Sequence, residues 1–415
     1  MTRKANDTSG TRIVRRSFLA GAAAGAAAAA IPLRFAHAQG QKLKIGVLLP
    51  RTGFQAQLGI DCQRGADVSL GVLKAKGYPD AEYLLADTES KPDVSRTQCE
   101  KLINSGAHMI TGCFDSGQTG AAAQVCEQKG IPMVVNIAAA PQITESGYKT
   151  VFRNFPKGQM IAADFFRNQK ELWDATKALP KTAVLLHVND TFGATQAKAN
   201  LALAEKTGMP YKIVEAIAYD PQAKDLSVEV GKAKATGGEL LMVISRLNDA
   251  ILITRELVKQ RWKPMGIFST GPGWYEKQYM DAVKHLGDDV ISFVPWYDPN
   301  KPMSKALKAA FAQQFKDIGL TTNHTHTFEA VLIMLDAFKR AGSTDPAKLI
   351  EALRATDIKD NVTVGPGIRF DAQGQNPDTR NSAIQNQKGV NVAVLPATAA
   401  EGKIIWPIRD WNARG

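Results

Sequence analysis

From Leu43 onward the chain repeats one rhythm: a short and nearly unbroken apolar run, a turn, then a longer stretch whose apolar positions recur at helical spacing. Lys44-Ile45-Gly46-Val47-Leu48-Leu49-Pro50 is short, apolar at consecutive positions and closed by proline, which predicts a strand buried on both faces. A helix over about 59–76, a strand over 82–87 and a helix from Pro92 to about 105 follow. Pro92 suits a first helical turn, where its missing N–H costs nothing, and Val94, Leu102 and Ile103 are candidate core positions. Strands over 108–112 and 133–136 flank a helix over 120–129.

The rhythm restarts after about residue 157. Helices are expected over 160–172, 192–207, 226–235 and 249–259, interleaved with strands over 182–187, 211–218, 240–244 and 266–269. Strands alternating with helices of this size call for βαβ units around parallel sheets, here two α/β lobes. The last third offers helices over 305–318, 327–341 and 346–355, then Pro-, Gly- and Asn-rich turns with short strands, and periodicity does not assign it to either lobe. Ligands of open parallel sheets bind beyond the carboxyl ends of the strands. Those ends carry Arg51-Thr52-Gly53-Phe54, Cys113-Phe114-Asp115-Ser116, Asn136-Ile137-Ala138-Ala139-Ala140, Asn189-Asp190-Thr191-Phe192, Ser245-Arg246 and Thr270-Gly271-Pro272-Gly273-Trp274.

A chain of 415 residues exceeds what a single core usually fills, in keeping with two lobes. Its net charge of +11 first suggests an acidic partner such as nucleic acid. The N-terminus changes that picture. Arg3, Lys4, Arg12, Arg15, Arg16 and Arg34 surround an Ala/Gly-rich stretch from Leu19 to Ile31 that ends at the small-x-small site Ala36-His37-Ala38. Basic segment, apolar segment and cleavage site in that order predict an export signal over residues 1–38. Arg15-Arg16-Ser17-Phe18-Leu19 fits the twin-arginine type. Cleavage near Ala38 leaves 377 residues with 45 basic and 39 acidic side chains, a modest +6, so nucleic acid is not an expected partner and the periplasm is the expected location.

Four cysteines remain, Cys62, Cys99, Cys113 and Cys126, with no Cys-x-x-Cys among them, and export makes disulfides permissible. No Gly-x-Gly-x-x-Gly follows the first strand and no Gly-x-Ser-x-Gly elbow occurs, so neither an enzyme nor a cofactor is expected. His324-Thr325-His326 is the one histidine pair with a metal-like spacing and lacks a visible third ligand, so no metal is expected.

An ordered set of segments resembles the leucine/isoleucine/valine-binding family of periplasmic receptors for ABC importers. The set runs Lys44-Ile45-Gly46-Val47, Gly53, Gly59, Gly65-Ala66, Asp87, Gly112 with Ser116, Gly130-Ile131-Pro132, Phe152-Arg153, Phe192-Gly193, Val364-Gly365-Pro366, Phe370-Asp371 and Gly374. The resemblance implies an α/β type I periplasmic binding protein fold, with two Rossmann-like lobes joined by three crossovers and a ligand between them. Carried onto this chain, the N-lobe is 42–157 plus 296–369 and the C-lobe 158–295 plus 370–415, with the hinge near Phe155-Pro156, Pro295-Trp296 and Phe370. The sheet order so implied pairs Cys62 with Cys113 and Cys99 with Cys126. It also implies a monomer that delivers a small molecule to ABC permease subunits; presentation to a membrane sensor uses the same closed form.

In that family a serine, backbone groups and a threonine hold an amino acid's carboxylate and ammonium, and a glutamate completes the ammonium site. Ser116 matches the serine and Ala138 the backbone contact, but Ala139 stands for the threonine and about Gly271 for the glutamate. Arg246 and Arg51 offer two-pronged matches to a carboxylate, and Phe54, Phe114, Phe192 and Trp274 offer flat apolar walls. The expected ligand is a small organic carboxylate, with an amino acid as the alternative if Asp115 or Asp190 supplies the missing acid. Arg246 in an interlobe salt bridge, Arg51 as a rim charge and the aromatics as lobe core are the competing structural roles.

Overall fold

The computed structural model describes residues 42–414; the export signal, its twin arginines and the cleavage site lie outside them. The first half builds β1 (Leu43–Leu49), α1 (Ala56–Ala75), β2 (Ala81–Asp87), α2 (Pro92–Asn104), β3 (Met109–Gly112), α3 (Ser116–Lys129), β4 (Met133–Val135), α4 (Gln142–Glu145) and β5 (Val151–Arg153). These strands form one parallel sheet in the order β2-β1-β3-β4-β5. Leu43, Ile45, Val47 and Leu49 of β1 face one core, while Leu48 faces the other, which is why β1 reads as an unbroken apolar run.

The second sheet takes its strands from a chain that runs α5 (Gly158–Thr176), β6 (Thr182–Val188), α6 (Thr191–Ala204), β7 (Lys212–Tyr219), α7 (Ser227–Ala235), β8 (Leu240–Ile244), α8 (Leu247–Lys259), β9 (Gly266–Ser269), α9 (Lys277–Val283) and β10 (Ile291–Pro295). After α10 (Pro302–Gln314), α11 (Thr322–Ala341), α12 (Pro346–Arg354) and the small ribbon of β11 (Asp357–Ile358) and β12 (Ile368–Arg369), the chain returns through β13 (Asn381–Gln387) and β14 (Val390–Leu395). The sheet order is β14-β13-β10-β9-β8-β6-β7, antiparallel at β13 and β14 and parallel elsewhere. Among the described residues no helix is long and apolar enough to cross a membrane.

Several boundaries differ from the sequence pattern for local reasons. α3 begins at Ser116 instead of 120, because Asp115 accepts from the N–H groups of Gly117 (2.9 Å) and Gln118 (3.3 Å) and so starts the helix at the end of β3. α11 begins at Thr322 instead of 327, through a segment rich in threonine. Thr325 and Thr327 turn their hydroxyls back to the carbonyls of Thr321 (3.2 Å) and Asn323 (2.8 Å), which lets polar residues occupy the buried first turns of the helix. That helix packs along α1 so closely that a Cβ on Gly65 would sit 2.2 Å from the His324 carbonyl oxygen; only glycine admits this approach.

The cysteines correct the disulfide expectation. All four are free and buried. Cys62 packs on the α1 side of the first sheet, whereas Cys113 lies on the opposite side with Cys99 and Cys126, so the sheet separates Cys62 from Cys113. The Cys99 and Cys126 sulfurs are 3.6 Å apart, in contact but not bonded.

Where the chain passes between the sheets, Arg153 at the end of β5 is wholly buried. Its guanidinium donates to the carbonyls of Ala138 (3.0 Å) and Ala140 (2.7 Å), to Thr144 Oγ1 (2.9 Å) and to Gln375 Oε1 (2.7 Å). Its backbone pairs with Gly374 and Asn376, which extends the first sheet by the segment leading to β13. Beside it the buried Glu329 accepts from Asn154, Asn361 and the amides of Val362 and Thr363 (both 2.7 Å), and Asn154 in turn accepts from Asn376 (2.8 Å). Burial pushes the Arg153 pKa down to about 9, still charged at neutral pH. Arg153→Met strips four acceptors of their partner, each at about 1–3 kcal/mol if it stays dry. We expect a loss of at least about 3 kcal/mol in urea unfolding, as a lower midpoint at unchanged m-value.

Candidate functional site

Three helices start at the cleft between the two sheets, and each start carries a charged residue. Asp115 caps α3, as described above. Asp190 caps α6 by accepting from Gly193 N–H (2.9 Å). Arg246 occupies the cap position of α8, where its own N–H donates to Asp249 (2.9 Å). The Arg246 guanidinium bridges the other two, reaching Asp190 at 2.5 Å and Asp115 at 2.6 Å, with the Phe192 ring 4.9 Å from its centre. Burial works against its charge, but Asp190, Asp115 and Asp249 outweigh it and hold the guanidinium above its ordinary pKa. Asp249 is pushed up by burial, although Tyr219 donates to it at 2.5 Å.

The arginine borders a cleft whose atom-free space, open solvent at its mouth included, is about 470 Å³. Of the residues proposed from sequence, Phe114, Ser116, Ala138, Ala139, Phe192 and Arg246 line it together, with Asp115. Phe114 takes a left-handed backbone, φ +69°, at the bend from β3 into α3. The Ser116 hydroxyl accepts from Ala140 N–H (3.3 Å), and the Ala138 carbonyl is already taken by Arg153.

Four proposed residues lie elsewhere. Arg51 donates to Gln63 (2.5 Å) outside the cleft lining, and Phe54 sits on an exposed depression with Leu58, Ile60 and Pro221. Gly271 cannot carry a side chain, since its Cβ would stand 2.3 Å from the Ser245 carbonyl oxygen; its neighbours Thr270 and Pro272 line the cleft in its stead. Trp274 is core: its indole N–H donates to Ser245 (2.6 Å) and its ring packs on Tyr279, while Tyr275 faces the cleft. Arg246 is also not a free anion receptor, because both its arms are held by carboxylates.

Comparison with known proteins places this architecture. A family model for periplasmic binding proteins matches residues 42–388. The chain belongs to the periplasmic binding protein family, and is of its leucine/isoleucine/valine-binding type. The Leu/Ile/Val-binding protein homolog 7 of Brucella suis is 27% identical over 387 residues, covering 88% of this chain and 94% of that one. Among solved structures, LivJ of Streptococcus pneumoniae in complex with isoleucine aligns with a TM-score of 0.72 at 17% identity, over 88% of this chain and 100% of that one. A solute binding protein of R. palustris in complex with benzoate aligns equally well, 0.72 at 18% identity, over 88% and 98%. The fold is thus the two-lobe, type I periplasmic binding protein architecture that the resemblance implied.

Within this periplasmic binding protein, sequence reasoning missed Gln196, Thr270, Tyr275, Thr322 and Asn323 of the cleft wall. Thr270 and Tyr275 flank residues that were singled out, and Gln196 lies one helical turn beyond Phe192, so the facing positions were within reach of a helical count. Thr322 and Asn323 were hidden by the late helix start. Gln196 Oε1 and Nε2, Thr270 Oγ1 and Asn323 Oδ1 are buried without a protein partner, a cost of about 1–3 kcal/mol per group in a dry site. Behind the wall the Asn323 amide donates to the buried Glu276 (2.8 Å), whose pKa is raised well above normal by burial and by Asp61. His324 and His326 lie buried on α11, against Phe311 and Phe155. Among the described residues no group of three or more His, Cys, Asp or Glu side chains is arranged to hold a metal.

Two predictions follow from these charges. Arg246→Met leaves Asp115 and Asp190 facing each other unpaired, a cost of about 3–5 kcal/mol that an open, hydrated cleft relieves. Small-angle scattering of the ligand-free variant therefore shows a larger radius of gyration than the parent. Burial lowers the His326 pKa from its ordinary 6.5, so the unfolded chain takes up a proton that the folded chain refuses, and stability falls as pH drops below about 6.5. Glu276 and Asp249 shift the opposite way and oppose this loss. His326→Gln removes only the His326 share and leaves that of His324, whose pKa burial lowers likewise, so the melting temperature of the variant drops less than that of the parent between pH 7 and 5.

Proposed function

We propose that this protein is the substrate-binding component of an ABC importer of the branched-chain amino acid type. It captures a small amino acid or organic carboxylate between an N-lobe of 42–157 plus 296–369 and a C-lobe of 158–295 plus 370–415. The observation that carries this reading is the Asp115–Arg246–Asp190 triad, which joins loops of the two sheets at the mouth of an apolar-walled cleft. Asp115 follows a strand of the first sheet, and Asp190 and Arg246 follow neighbouring strands of the second, so the Arg246–Asp115 pair is the one that forms only when the cleft is narrow. A ligand carrying both charges exchanges partners with the triad: its carboxylate takes an arm of Arg246 as its ammonium takes an aspartate. A simple monocarboxylate displaces one aspartate and leaves it unpaired. An amino acid is therefore the first choice, reversing the preference drawn from the sequence. The isoleucine and benzoate complexes of the structural neighbours supply a probe for each class.

Function then follows from closure. Ligand enters the open cleft, the lobes rotate about the three connecting segments, and contacts from both sides stabilise the closed form that the permease subunits recognise. Export through the twin-arginine route with cleavage near Ala38 places a monomer in the periplasm, without a catalytic role. The test is a thermal-shift panel on residues 39–415 with leucine, isoleucine, valine and benzoate. A true ligand at 100 times its dissociation constant adds about 2.7 kcal/mol of stability. Stabilisation by amino acids over benzoate supports the triad exchange; benzoate alone restores the simple-anion ligand; no response to any small amino acid or carboxylate overturns the proposal.

A further inference from the structure

The charged groups of the cleft already satisfy one another, and the uncharged ones do not. Arg246 is saturated by Asp115 and Asp190, and those two aspartates are further engaged by the helix amides they cap. Three helix starts add positive partial charge against the excess acid, so the cleft holds no strongly unbalanced charge. By contrast, three uncharged side chains on its wall carry open hydrogen-bonding capacity. Gln196, from α6, is fully buried, and neither its amide oxygen nor its amide nitrogen has a protein partner. Thr270 Oγ1, after β9, and Asn323 Oδ1, at the start of α11, are buried and unpartnered as well.

These open groups specify a chemistry. Gln196 offers both an acceptor and donors, Thr270 offers either, and Asn323 offers an acceptor. A hydrocarbon tail leaves all of them unmet. A carboxylate accepts but cannot donate, so it leaves the Gln196 and Asn323 oxygens bare; an ammonium donates but cannot accept, so it leaves the Gln196 N–H groups bare. A primary carboxamide presents N–H and C=O side by side and meets both halves of the Gln196 amide at once. We infer that the ligand carries an uncharged donor–acceptor group of the carboxamide type, seated against Gln196, in addition to the charged end that meets the triad. This inference rests on the reading of the cleft as a ligand site and narrows the class of ligand it takes. Polar discrimination of this kind is strong, because a site built to hydrogen-bond a group rejects the analogue lacking it.

The experiment compares matched ligands by titration calorimetry on residues 39–415: glutamine and asparagine against glutamate, aspartate and leucine, with butyramide against butyrate as the minimal pair. We expect at least one carboxamide to bind tenfold or more tighter than its carboxylate and hydrocarbon counterparts. Gln196→Leu, which removes the amide, and Gln196→Glu, which keeps its shape but loses the donors, both erase that advantage while the far-ultraviolet circular dichroism stays that of the parent. Two outcomes overturn the inference and leave the binding reading standing: leucine or a plain carboxylate binds and no carboxamide does, or the carboxamide advantage survives in a folded Gln196 variant. If no compound of any class binds, the cleft is not a site for small amino acids, acids or amides, and both readings fall together.

Discussion

The cleft depends on a buried positive charge that has no carboxylate in direct contact. Arg153 lies in the seam between the sheets, held by two carbonyls, an amide oxygen and a hydroxyl. Neutral acceptors replace the water it gave up, and because a guanidinium is planar, filling its prongs fixes everything around it in one plane. What it fixes is the loop after β4, which supplies Ala138 and Ala139 to the cleft, and the passage through Gln375 that connects the lobes. The floor of the cleft and one passage of the chain between the sheets thereby share a single anchor, and Glu329, taking up Asn154 and the amides of Val362 and Thr363, holds the neighbouring segment in the same way.

Above that floor the architecture concentrates helix starts. Parallel strands feeding helices bring the start of α3 from the first sheet together with the starts of α6 and α8 from the second, and the residues that open the three helices meet there. Capping and lobe contact are thus one act: the aspartates that satisfy orphan amides at their own helices are the aspartates that grip Arg246. Parting the two sheets would separate Arg246 from Asp115, 2.6 Å apart in a partly dry site, and would leave Arg246 and Asp190 together on the second sheet.

What could be read from the sequence follows how each residue is buried. Strands such as β1, β6 and β8, apolar on both faces, announce themselves, and the helices that cover them show one apolar stripe. The start of α11 did not, since its first turns are threonine, asparagine and histidine that become buried with hydrogen bonds to their own backbone, and only its apolar remainder from 327 showed. β13 and β14 were lost among turn residues, being an edge ribbon rich in asparagine and glutamine. In the site, position after a strand end found Phe114, Ser116 and Arg246. It could not show that two acids, 56 and 131 residues away from Arg246, converge on that arginine, because the convergence depends on sheet order. Trp274 and Tyr275 are adjacent in a loop, and the sequence alone does not say that Trp274 bonds to Ser245 in the core while Tyr275 faces the cleft.

The placement of the thiols has a practical corollary. All four cysteines of the sequence are inside the protein; burial raises the thiol pKa of Cys62 and Cys113, and the Cys99 sulfur together with burial raises that of Cys126, so the native surface offers no reactive thiol. A single cysteine introduced on an exposed rim position would be the sole accessible thiol a maleimide dye meets. The molecule is in this sense ready for site-specific labelling, and a reporter can be placed beside its cleft without first rebuilding its core.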